Sequence, residues 1–117
     1  MKKVLVISAS LRKGSNSDIL AKEFYYYEMA GQLKTMLDRA NSLYTSDYKF
    51  RDIYVLATAA ENEKAAAKNA INGIKGWIAC FEKAKFKSSV FAGAENPRDV
   101  LQNSAALAEA YKKGFKV

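Results

Sequence analysis

The sequence predicts an α/β fold built on a parallel sheet. Three observations carry this: short apolar runs at 3–8, 53–59 and 88–92, helical apolar spacing between them, and a polar, glycine-bearing turn after the first run. Apolar runs that do not alternate read as strands buried on both faces, which belong mostly to parallel sheets. Strands alternating with helices form right-handed βαβ units.

The elements follow in order. Lys3 to Ser8 is the first strand, rich in valine, leucine and isoleucine. The turn Ala9-Ser10-Leu11-Arg12-Lys13-Gly14-Ser15-Asn16-Ser17 leads to a helix start near Ser15 to Ser17, with Asp18 in its positive first turn. Ile19, Leu20 and Phe24 supply that helix with an apolar stripe. Leu33, Met36, Leu37, Ala40 and Tyr44 recur at helical spacing and predict a helix over 31–44. Strand 53–59 is expected to be buried on both faces. A helix over 61–85 places Ile71, Ile74, Ile78 and Phe81 on one side, and strand 88–92 follows. Asn96 and Pro97 open the last helix, with Val100, Leu101, Leu107, Ala108 and Tyr111 inward and Gly114 at its end.

One spacing is odd. Between strands 3–8 and 53–59 lie residues 9–52, enough chain for a further βαβ unit, yet no strand can be read there.

Composition narrows the chemistry. The 117 residues include no histidine and one cysteine, Cys80. Histidine-based nucleophile activation and histidine metal ligation are therefore excluded. Internal disulfides and thiolate-held zinc or iron–sulfur groups are excluded as well. The length matches one domain over 1–117, and the cysteine usage fits a reducing, cytoplasmic setting. The run after Met1-Lys2-Lys3 stops at Ser8, too short for a signal peptide, and no stretch approaches a membrane span. No membrane partner is expected. The net charge of +7 favours anionic ligands, but the lysines are scattered, so nucleic acid is not the expected partner.

The turn after the first strand is the strongest chemical signal. Backbone N–H groups at a helix N-terminus bind phosphate, serine and asparagine add donors, and arginine adds a charged fork. The turn is neither a Walker loop nor a Gly-x-Gly-x-x-Gly fingerprint. Its bland alternative is a polar loop with a helix cap.

The stretch Ser8-Ala9-Ser10-Leu11-Arg12-Lys13-Gly14-Ser15-Asn16-Ser17 resembles the phosphate loop of the flavodoxin-like, NAD(P)H-dependent FMN reductases. Tyr25-Tyr26-Tyr27-Glu28-Met29-Ala30-Gly31-Gln32-Leu33-Lys34-Thr35-Met36-Leu37-Asp38-Arg39 resembles that family's aromatic loop and the helix after it. Thr58-Ala59-Ala60 and the closing helix over 109–114 resemble the iron–sulfur flavoprotein branch. The resemblance implies a flavodoxin-like three-layer parallel sheet. It also implies a missing strand–helix–strand block of roughly 30 residues between Phe24 and Tyr25. The cysteine-rich loop of the iron–sulfur branch is missing too, so no iron–sulfur cluster is expected.

By that resemblance Ser10, Arg12, Ser15, Asn16 and Ser17 hold the FMN phosphate. Tyr25, Tyr26, Tyr27, Glu28 and Met29 border the flavin, with Thr58, Ala59 and Ala60 on the neighbouring loop. Tyrosine offers a flat face and a polar edge. The cofactor carries the hydride chemistry, with NAD(P)H as co-substrate, so no protein catalytic residue is assigned. A homodimer is expected, with strand swapping as one route to it. The rival expectation is a non-enzymatic remnant held together by oligomerisation, because an unpaired strand edge invites exchange. A basic module stacking nucleic-acid bases on tyrosine ranks last. Trp77 and Cys80 read as packing residues, and Lys83, Lys85 and Lys87 as a solvated face.

Overall fold

In the computed structural model the residues described are 28–116, together with the backbone of 4–9. Three parallel strands form one sheet in the order β1 (Val4–Ala9), β2 (Asp52–Ala59), β3 (Lys85–Gly93). β1 pairs directly with β2 along its length, from Val4 opposite Asp52 to Ala9 opposite Ala57. The long connection between these strands therefore closes without a strand inserted between them. The α-helices among the described residues are α1 (Gly31–Arg39), α2 (Lys68–Ala79) and α3 (Ser104–Phe115).

The helices make two layers around the sheet. On one face Ile53 and Val55 of β2 meet Leu37 of α1, Ile74 and Ile78 of α2, and Phe81, with Tyr48 and Ala84 closing the cluster. On the other face Val90 and Ala92 of β3 meet Ala106 of α3, with Val100 and Ala110 partly buried against them. The alternation follows from the strand period of two: Leu56 and Thr58 share a face with their partners Val90 and Ala92.

That arrangement corrects the expected double burial of strand 53–59. Burial alternates along β2, and Leu56 stays 37% exposed. The small inward residues of α3 cover β3 but leave Leu56 open.

Other boundaries also differ. The expected helix 31–44 is α-helical only to Arg39 and continues as a 3-10 turn over Ala40–Thr45. The expected helix 61–85 reduces to a 3-10 turn at Lys64–Ala67 and α2. The reason lies beyond Ala79. Phe81 turns into the core, the Lys83 N–H donates to the Tyr48 hydroxyl (2.8 Å), and the Lys85 N–H starts the ladder on the Arg51 carbonyl (2.7 Å). Strand β3 consequently begins at Lys85 rather than Ser88, with a register shift where Lys87 is extra. Cys80, expected to be buried, is exposed at the end of α2.

The last helix does not open at Asn96. Arg98 is left-handed (φ 75°), which interrupts helical geometry, and a 3-10 turn at Asp99–Gln102 intervenes. Asn103 is the cap: its side-chain oxygen accepts from the Ala106 N–H at 3.1 Å. Nor does Gly114 end the helix, which runs to Phe115. Of the expected inward set, Val100 packs against β3 and the others do not. Leu101, Leu107 and Tyr111 are exposed at 64%, 40% and 75%, and Ala108 is exposed, while Ala106 and Ala110 point to the sheet. Asn103→Ala is expected to lower the unfolding free energy by about 0.5–2 kcal/mol, measured by urea denaturation. Asn96→Ala leaves it almost unchanged; the reverse ranking would return the cap to Asn96.

Candidate functional site

Parallel α/β sheets place ligands at the carboxyl ends of their strands. Here that edge is formed by the ends of β1, β2 and β3. The pairing of Ala9 with Ala57 fixes its geometry. β1 ends at Ala9 beside Ala57, two residues before β2 ends at Ala59. Thr58 is half-buried, Ala59 buried and Ala60 exposed. Ser10, Arg12, Ser15, Asn16, Ser17, Tyr25, Tyr26 and Tyr27 lie outside the described residues.

Glu28 and Met29 sit at the head of α1. Two contacts set that helix alongside α2. Met29 Cε lies 2.6 Å from where a Cβ on Gly73 would stand, so the glycine makes room for it. Further along, the Trp77 indole N–H donates to the Leu37 carbonyl at 3.1 Å. Residues 29 to 37 thus run in the same direction as 73 to 77. A crossover helix returns from the carboxyl edge to the amino edge, so the head of α1 points toward the carboxyl edge. Glu28 is exposed there, while half-buried Met29 is engaged in packing against α2.

A cavity of about 470 Å³ opens on the same edge between the exits of β2 and β3. It is a shallow depression, widely open to solvent. Ala60, Asn62, Gly93, Glu95, Asp99 and Asn103 line it. The two exits are tied by the Ala94 N–H, which donates to the Ala59 carbonyl at 2.7 Å. Gly93 is required there because a Cβ would lie 2.6 Å from Asn62 Cα. The Asp99 carboxylate accepts from the Asn96 N–H at 2.7 Å. Among the sequence candidates the structure brings Ala60 to this cavity. Asn62, Gly93, Glu95, Asp99 and Asn103 carry no motif that singles them out. Their position just after strand ends is the available signal.

The groups with displaced titration lie elsewhere. Partial desolvation, then the neighbouring Cys80 thiol, raises the Tyr44 hydroxyl. The Lys49 ammonium lowers the Asp47 carboxyl, and Lys113 lowers Glu109. Among the described residues no group of three or more cysteine, histidine or acidic side chains is placed to hold a metal ion.

No protein-family model matches the sequence, and no curated protein matches it. A solved structure does. The Trp repressor binding protein from Bacillus subtilis superposes with a TM-score of 0.63 over 92% of this chain and 94% of that chain, at 22% sequence identity. The fold is flavodoxin-like. It is a reduced form, in which β1 and β2 are immediate neighbours. No helix among the described residues is long and apolar enough to cross a membrane.

Proposed function

We propose that the chain binds FMN at its carboxyl edge and acts as an NAD(P)H-dependent oxidoreductase. The observation that carries this reading is the register of β1 on β2. It ends β1 at Ala9 beside Ala57, just short of Thr58, Ala59 and Ala60, and Ser10 and Arg12 follow Ala9 in the sequence. A phosphate loop and a flavin-ring loop must lie this close to serve one cofactor. The described residues fit a flat ring. Alanine at 59 and 60 leaves the end of β2 free of bulky side chains, and the cavity beside Ala60 gives room.

In this reading Ser10, Ser15, Asn16 and Ser17 donate to the phosphate and Arg12 neutralises it. Tyr25, Tyr26 and Tyr27 offer ring faces, and Glu28 stands at the polar margin. Bound FMN would supply the hydride and electron chemistry. The chain's own residues would bind and orient it.

FMN titration tests this. Addition of the purified protein is expected to quench FMN fluorescence saturably and shift its visible absorption. NADPH should then bleach the flavin under anaerobic conditions. Arg12→Ala should weaken FMN binding about tenfold or more, since a hydrogen bond to a charged group is worth roughly 1.5–3 kcal/mol. A protein that leaves the FMN spectrum unchanged sinks the proposal. The second reading, a non-enzymatic remnant held by oligomerisation, is favoured by β1 standing at the edge of the described sheet. It predicts a stable oligomer in light scattering with no FMN affinity.

A further inference from the structure

The outer face of α3 is built the wrong way round for a solvated helix. Ala106 and Ala110 face the sheet. At about 100° per residue, Tyr111 and Phe115 fall within roughly 40° of the direction opposite Ala106. They are 75% and 82% exposed, and their rings stack with centroids 6.3 Å apart. Exposed Ala108 continues the face, and exposed Lys112 and Lys116 flank it. A helix that packs on a sheet ordinarily turns charged and polar side chains outward.

The charges around this face have one sign. Glu109 is the only acidic residue in α3. It is bonded to Lys113 at 2.6 Å, and Lys113 also donates to the Ser89 carbonyl at 2.8 Å. That pair is tied to the sheet. Lys112 and Lys116 are left beside the aromatic rings on a chain of net charge +7.

We propose that this face docks on an anionic lipid surface. Interfacial helices pair aromatic and aliphatic side chains with flanking lysines in this way, the rings entering the headgroup region and the ammonium groups meeting lipid phosphate. Charge complementarity selects this occupant over a second copy, since two such faces would bring Lys112 and Lys116 against their own kind. Exposed Leu107 beside Tyr111 adds aliphatic surface, which favours acyl chains over nucleic-acid bases. The contact is peripheral and spans nothing. It revises the expectation, drawn from the lack of a long apolar stretch, that no membrane partner exists.

Vesicle sedimentation tests the proposal with the full chain. The protein is expected to sediment with vesicles of phosphatidylcholine mixed with phosphatidylglycerol, and to stay in solution with phosphatidylcholine alone. Added salt should release it. Lys112→Gln with Lys116→Gln should lower the partition coefficient roughly 20- to 30-fold, at about 1 kcal/mol per lysine near an anionic surface. Tyr111→Ser with Phe115→Ser should abolish sedimentation while the circular dichroism and unfolding midpoint stay near the parent's. Equal binding to both vesicle types, no binding to either, or full binding by the serine variant overturns the proposal. So does concentration-dependent dimerisation lost in the serine variant without vesicle binding, which reassigns the face to a second copy. Binding of single-stranded oligonucleotide without vesicle binding, lost in the same variant, reassigns it to nucleic acid.

Discussion

Phe81→Ala is expected to lower the unfolding free energy by about 3–5 kcal/mol, the usual cost of emptying an aromatic site in a core. Phe81 is 2% exposed. Its ring meets Tyr44, Trp77, Tyr48 and Phe50 at centroid separations of 4.5, 4.7, 5.1 and 5.1 Å. The contacts with Tyr44, Tyr48 and Phe50 are edge-on, the arrangement in which a ring's positive rim meets a negative face. Phe81 also forces the chain out of α2, because its N–H already bonds the Ile78 carbonyl while its side chain turns beneath the sheet. Alanine would leave four rings facing a void. A domain of this size holds only about 5–15 kcal/mol of stability, so the variant should sit close to its unfolding transition. Urea denaturation followed by the Trp77 fluorescence measures this. Phe115→Ala, at an 82% exposed position, is the contrast and should change stability by no more than about 0.5 kcal/mol. Equal effects from the two variants would mean that the ring cluster is not the centre of the core.

The residues around Phe81 also show what is legible in the sequence. Helical spacing marks Ile74, Ile78 and Phe81 as one buried stripe, and all three are buried. The stripe does not reveal where the helix stops. The stop comes from the Tyr48 hydroxyl accepting the Lys83 N–H, a partner 35 residues away. No local window contains that bond. Lys83, Lys85 and Lys87 are exposed, as a solvated face requires, and the alternation of Lys85 and Lys87 with half-buried Phe86 is also the opening of β3. At the last helix the local rule of asparagine before proline points to Asn96. Asn103 caps instead, because the left-handed Arg98 and the Asp99 carboxylate occupy the earlier turn. Tyr111 turns outward although aromatic burial is the better bet where packing is unknown. The odd spacing between the first two strands is visible in the sequence. Its structural resolution, β1 lying directly on β2, is not, since strand order is set by tertiary pairing. The edge that carries Thr58, Ala59 and Ala60 is legible through motif resemblance. The cavity beside it is not, because Asn62, Gly93 and Asp99 meet only when β2 and β3 lie side by side.

Gly93→Ala should damage the fold and the site together. The added Cβ would lie 2.6 Å from Asn62 Cα and its side-chain oxygen, and 2.7 Å from its Cβ. A flexible side chain could rotate away, but Asn62 Cα is backbone, so the segment from Ala60 to Asn62 must move. Overpacking of this kind typically costs about 1–3 kcal/mol. The displacement also pulls on the Ala94 N–H bond to the Ala59 carbonyl, which ties the two strand exits. Because the proposed flavin border includes Ala59 and Ala60, FMN affinity should fall with stability, by up to roughly tenfold if one hydrogen bond's worth of geometry is lost. Gly76→Ala separates this from a general glycine effect. Gly76 lies within α2, and a Cβ added there would meet nothing within 4 Å, so alanine should stabilise by up to about 1 kcal/mol and leave FMN binding as it was. Urea denaturation and FMN titration on both variants read the two effects apart. If Gly93→Ala loses stability but binds FMN normally, the flavin border does not reach the exit of β2 at Ala60, and the ring must lie wholly on the β1 side of that strand.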